Sequence, residues 1–127
     1  MGQMQRHVFD PAKGFADMVS TTGGRVIYVS GHLGFGPDGK TVVEGGLGAQ
    51  ADALFDNIEE TLAQAGATLD DLVRITAYIV DLDAYSEYAE VRRLRLGNNP
   101  PASTTVGVAS LLAGALIEID GVAFVAD

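Results

Sequence analysis

Apolar residues in this chain follow two rhythms. In short runs they alternate with polar ones or crowd together. The β-branched and aromatic stretch Arg25–Leu33 (RVIYVSGHL), preceded by the turn signal Gly23-Gly24, predicts a strand. Leu72–Val80 (LVRITAYIV) predicts another, Ser103–Ala109 and Ala115–Val125 two more, and Gln5–Phe9 a short first strand ended by Asp10-Pro11. In two longer runs the rhythm is helical. Leu47, Ala51, Leu54, Ile58, Leu62 and Ala65 recur at three- and four-residue steps, with Asp52, Asp56, Glu59 and Glu60 outside that stripe. Leu47–Ala65 is therefore a predicted helix, stopped by Gly66. Asp83 caps a second helix from Ala84 to Leu96, closed by Gly97 and the pair Pro100-Pro101.

The order strands, helix, strand, helix, two strands predicts one α+β domain over residues 1–127, with both helices on one face of a mixed sheet. Ser110–Gly114 is expected to join the last two strands as a hairpin. The strands are too apolar for a sheet with a bare second face, so that face should be buried in a homo-oligomer.

Residues 34–41, GFGPDGKT, match the phosphate-loop pattern G-x-x-x-x-G-K-T and contain G-x-G-x-x-G. Such a loop works by running from a strand into a helix whose first amides hold the phosphates. Here Lys40-Thr41 leads into the extended run Val42–Gly46, and Pro37-Asp38-Gly39 has the chemistry of an ordinary turn. The strand ending in Asp81 resembles a magnesium-holding partner, but Asp81-Leu82-Asp83 is accounted for as a helix entry. Nucleotide binding is rejected on these grounds.

Charge narrows the function further. Seventeen acids against eight Lys and Arg leave a net charge of −9, which repels phosphate backbones and argues against nucleic acid. The cluster Arg92, Arg93, Arg95 is expected to be a solvated helix face. Without cysteine there is neither a disulfide nor a thiolate nucleophile, and the spacing of His7 and His32 suggests no metal site. No apolar run is long enough to span a bilayer, and MGQMQRHVFDP has no apolar signal-peptide core, so the expected location is cytoplasmic, away from membranes.

Strand periodicity places Ser103, Thr105, Gly107 and Ala109 on one face, and Leu116, Glu118, Asp120, Val122 and Phe124 on one face of the last strand. A hairpin centred near Leu112 brings Gly107 opposite Glu118 and leaves room beside its carboxylate. Between Ile117 and Ile119, Glu118 is expected to be partly desolvated, which suits proton transfer. On the residues alone it stays open whether Glu118 serves a pocket or holds backbone amides or a neighbouring subunit. Ser30 is equally open between a pocket residue and a plain strand-end serine. It has no convincing triad, because His32 lacks an orienting acid. Tyr85 and Tyr88, at helical spacing, are expected to pack rather than touch a substrate.

Several segments together resemble the RidA/YjgF family. They are Tyr28-Val29-Ser30-Gly31-His32, Ala49-Gln50 through Asp56-Asn57-Ile58 to Ala65-Gly66, Val73 through Leu82, and Pro101-Ala102 with Ile117-Glu118-Ile119. The likeness covers nearly the whole chain in order and spacing. It implies a chorismate-mutase-like fold, a homotrimer whose sheets form a central barrel, and a pocket at each subunit boundary. It implies hydrolysis of reactive imines and enamines, with no cofactor and no metal.

Carried over residue by residue, Ser30 falls on the family's pocket serine and Glu118 on its water-handling acid. Phe15 aligns loosely with a pocket aromatic, His32 stands for a glutamine, Ala89 for an asparagine and Thr105 for a common cysteine. Ser103 stands where the family has the arginine that binds the substrate carboxylate, and Gly107 lies on the same strand face. Loss of that arginine implies a neutral or aromatic imine, enamine or related carbonyl compound as substrate, in hydrolysis or in the reverse condensation, with carboxylates binding poorly. Two alternatives stand beside this reading. One is a non-catalytic trimer that binds a metabolite or serves as a scaffold. The other is a chorismate-mutase-like or hydrolytic enzyme, which would need Arg92 or Arg95 from a neighbour to replace the missing cation.

Overall fold

A computed structural model describes residues 2–126. The described residues form six strands and two α-helices in the order β1 (Gln3–His7), β2 (Met18–Thr22), β3 (Arg25–Leu33), α1 (Leu47–Ala63), β4 (Leu72–Ile79), α2 (Tyr85–Leu96), β5 (Ala102–Gly107) and β6 (Ile117–Val125). The main sheet runs β3-β6-β4-β5, with β4 and β5 parallel and β6 antiparallel to both of its neighbours. This is the α+β arrangement that the two rhythms predict.

One face of the sheet holds the core. Ile75, Ala77 and Ile79 of β4, with Ile117, Ile119 and Ala123 of β6, are fully buried against Leu54, Phe55, Ile58 and Leu62 of α1 and Tyr88 and Leu96 of α2. Burying a Leu, Ile or Phe side chain contributes about 1.5–3 kcal/mol, so this layer is the main stabilising term. Arg95 fastens the helices to each other, bridging from α2 to Asp52 and Asp56 of α1 at 2.8 Å each. The opposite face is bare: Tyr28 is 82% exposed and Val26 48% exposed on it.

Two side chains of α1 fix the strand ends near the site. Asn57 Nδ2 donates to the carbonyls of Leu33 and Phe35 at 3.1 and 3.0 Å, and the buried Gln50 Oε1 accepts from Leu116 N at 2.8 Å. The β1–β2 hairpin lies across the starts of β4 and β5. Arg6 donates to the carbonyls of Leu72, Pro100 and Asp70, and Ala16 pairs with Ala102.

Several expectations need correction. The first strand is Gln3–His7, not Gln5–Phe9, and β2 lies in a polar stretch that carries no strand rhythm. Asp83 caps nothing. Asp81 accepts from Asp83 N at 3.0 Å to cap a short 3-10 turn, and α2 follows with no side-chain cap. β5 and β6 do not form a hairpin. The segment after β5 makes a 3-10 turn over Leu112–Gly114, with Ala113 left-handed at φ 58°, and β6 inserts between β3 and β4. Residues 34–41 form a turn in which Asp38 Oδ1 accepts from Lys40 N and Thr41 N, both at 2.9 Å. α1 begins only at Leu47, so that turn opens no helix. No helix among the described residues is long and apolar enough to cross a membrane.

Candidate functional site

Glu118 lies on the bare face of the sheet. Its row across the strands is Leu33, Glu118, Tyr78 and Val106. Ile117 and Ile119, expected to desolvate it, point instead into the helix-side core. What shields the half-buried carboxylate is the end of β3. Strand β3 bulges between Val29 and His32, and the bulge sets Gly31 under Glu118. A Cβ on Gly31 would overlap Glu118 Oε2 and Cδ, so only glycine lets the carboxylate lie there. From that seat Glu118 faces a cleft of about 850 Å³ between the β3 end, the 35–43 turn and α1.

His32 also lines this cleft, and both of its ring nitrogens are engaged. Nδ1 lies 2.7 Å from the Ser30 carbonyl and Nε2 2.8 Å from Thr61 Oγ1. A carbonyl only accepts, so Nδ1 donates to it, and Nε2 shares a hydrogen bond with the threonine hydroxyl. The ring braces the bulge against α1. Ser30 is exposed and opens onto a smaller groove on the bare face with Arg74 and Asp120; Gly31 borders both hollows. Beside that groove Tyr78 donates to Asp120 Oδ2 at 2.9 Å, and this bond holds the phenol above its usual ionisation range.

The β5 residues lie elsewhere. Ser103, Thr105 and Gly107 pair with Ile75, Ala77 and Ile79 and share their helix-side face, whereas Glu118 is on the other face with β4 in between. The placement of Gly107 opposite Glu118 is thus overturned. A Cβ on Gly107 would press against Leu82, and no carboxylate is near. A single chain carries the candidate residues as two separate sets, one around Glu118 and Gly31, the other around β5.

The β5 set has a composition the sequence reading missed. Arg92 is not on a solvated face: it is 2% exposed. Its Cζ stands 5.2, 5.7 and 5.2 Å from the ring centroids of Phe15, Tyr85 and Tyr88. Tyr85 and Tyr88 pack edge-to-face with centroids 6.0 Å apart, as their spacing predicts. Burial pushes the Tyr88 phenol up, partly opposed by the charge of Arg92. Phe15 reaches this cluster because Ala16 N donates to Pro101 O at 2.9 Å, beside the start of β5. Ala89, half-buried, follows Tyr88 on α2. The signal for Arg92 was available, since Tyr85, Tyr88, Arg92 and Leu96 form one stripe at three- and four-residue steps.

Comparison with known proteins agrees with this architecture. The family model described as endoribonuclease L-PSP matches residues 5–125. The human 2-iminobutanoate/2-iminopropanoate deaminase is 32% identical over 78% of this chain and 72% of its own length. The crystal structure of RidA from the Antarctic bacterium Psychrobacter sp. PAMC 21119 superposes with a TM-score of 0.76 at 34% identity, covering 82% of this chain and 84% of that one. YyfB from Yersinia pestis, a Rid-family protein of unknown function, superposes at 0.82 with 27% identity over 98% of both chains.

Proposed function

The chain belongs to the RidA/YjgF family, and on that premise we propose that it is a cofactor-independent imine and enamine deaminase whose pocket is completed between subunits of a homotrimer. The observation that carries this reading is Glu118, seated over Gly31 and facing a large cleft. The two sets of candidate residues are too separated to act together in one chain. β5 is an edge strand of the main sheet, so a neighbour whose bare face packs around that edge would set its Glu118 set beside the β5 set.

The chemistry is a hydrolysis. Glu118 accepts a proton from water as its oxygen attacks the C=N carbon, and the π electrons move to nitrogen. The proton then passes from Glu118 to nitrogen. Glu118 then takes the carbinolamine's hydroxyl proton and delivers it to the amine, so that C=O forms as the C–N bond breaks and the nitrogen leaves as ammonia. Hydroxyls of Ser30 on one subunit and Thr105 on the next place the water. An enamine enters the same course after protonation at carbon. Condensation of an amine with a carbonyl is the same path reversed.

Ser103 in place of an arginine leaves β5 without a cation of its own, which favours a neutral or aromatic substrate over a carboxylate. The ribonuclease wording of the family model is not carried over, because a net charge of −9 disfavours RNA. A non-catalytic metabolite-binding trimer is the other reading, and turnover separates the two. Ammonia release should be measured with imines generated in place from amino acids and with a neutral aromatic imine. The wild-type protein should accelerate release from at least one, and Glu118→Gln should cut that rate by ~10²-fold or more while leaving assembly and melting unchanged. Full activity in a stable Glu118→Gln protein contradicts the mechanism.

A further inference from the structure

The cleft that Glu118 faces is lined by two unlike surfaces. Phe35, Pro37, Val43 and Leu112, on the 35–43 turn and the turn before β6, are apolar. Against them stands a polar strip of α1 from Asp56 to Gln64, and no lysine or arginine lines the cleft. The hydrogen bonds already made decide what this strip can still offer. Both amide hydrogens of Asn57 are spent on the Leu33 and Phe35 carbonyls, so its Oδ1 is left to accept. His32 and Thr61 are engaged with Ser30 O and with each other. Asp56 is answered by Arg95 at 2.8 Å. Among the described residues, no cation lies within ion-pair distance of Glu60 or Glu118. Apart from the exposed amide of Gln64, the lining side chains have only acceptors left, two carboxylates and an amide oxygen.

A ligand that donates to acceptors on one side and lays hydrocarbon on the other is an organic cation. We infer that the cleft selects an amine-bearing imine, one whose carbon skeleton carries a second, protonated amino group. The C=N group lies at Glu118, and the hydrocarbon part rests on Phe35, Val43 and Leu112. The ammonium donates to Glu60 and to Asn57 Oδ1, which stand three residues apart and so share one face of α1. At about 850 Å³ the cleft is at the large end of small-molecule pockets and has room for a ligand that reaches both surfaces. An acid of the same length would meet only acceptors along α1. This inference rests on the imine-hydrolase reading for the reaction but not for the binding.

The test is a calorimetric titration of the assembled protein with 1,5-diaminopentane, pentylamine and glutarate. The wild type should bind the diamine at least ~10-fold more tightly than pentylamine, as expected of one more charge-assisted contact, and should give no heat of binding with glutarate. Glu60→Gln should bring the diamine down to the level of pentylamine. Glu59→Gln removes the same charge from the adjacent residue, which lies outside the cleft, and should leave the preference intact. That pair separates the cleft from the overall charge of −9, and both side chains are exposed, so neither change threatens the fold. A preference that survives Glu60→Gln or is lost equally in Glu59→Gln overturns the proposal. So does glutarate binding as tight as that of the diamine, or no binding of the diamine at millimolar concentration. The expected binding without ammonia release from any imine leaves the cation site standing and removes the deaminase. Ammonia release from an uncharged imine without a diamine preference does the reverse.

Discussion

Tyr88 shows how a single buried atom bears on stability. Its phenol oxygen is buried and makes no hydrogen bond in the free chain. An unmet buried hydroxyl costs about 1–3 kcal/mol, so removing it should relieve strain rather than add it. Tyr88→Phe is expected to keep or raise the melting temperature. The same residue sets an alkaline limit. Burial raises the folded-state pKa of Tyr88, and the bond to Asp120 raises that of Tyr78, each above the ordinary value of 10.0. Their contribution is fully present below that value. It is lost as pH climbs past it, because the unfolded chain ionises first and the folded chain resists. Denaturant titrations across that range should show a shallower fall in stability for Tyr88→Phe than for the wild type. A steeper fall, or a lower melting temperature at neutral pH, contradicts the assignment.

At the scale of elements, the bulge in β3 is the feature that makes the site. It turns Ser30 and Gly31 out of the ladder, and the His32 ring, held between Ser30 O and Thr61, locks it to α1. Gly31→Ala should therefore displace the Glu118 carboxylate. Activity should fall by an order of magnitude or more, while circular dichroism and assembly stay as in the wild type. Undiminished ammonia release from Gly31→Ala would mean that the seat of Glu118 is irrelevant. The main strands and both helices were legible from periodicity, because each has one face in the core. Partner choice was not. The segment between β5 and β6 has the length and glycine of a hairpin, yet β6 pairs with β3 and β4, and only the tertiary contest for the centre of the sheet decides that. Placing β6 there moved Glu118 away from Gly107 and onto Gly31. β2 escaped notice because Met18–Thr22 is mostly exposed and has no apolar face to reveal it. Arg92 escaped because its charge outweighed its place in an aromatic stripe.

For the whole molecule, the bare sheet face and the division of the site are one question. Tyr28, Val26 and Val106 are exposed there on strands whose other face is core. An open apolar face of this kind in a small domain is a surface for assembly. The central claim is that assembly joins the Glu118 set of one subunit to the β5 set of another. The measurement that tests it most directly is complementation. Subunits carrying Glu118→Gln are refolded together with subunits carrying Thr105→Val, and ammonia release from an imine that the wild type hydrolyses is compared with that of each parent trimer. Both parents should be impaired. Random mixing at equal ratio should rebuild intact sites at roughly a quarter of the boundaries and restore activity in proportion. Mixed trimers, verified by native mass spectrometry, whose activity never exceeds that of the better parent would contradict a pocket shared between subunits.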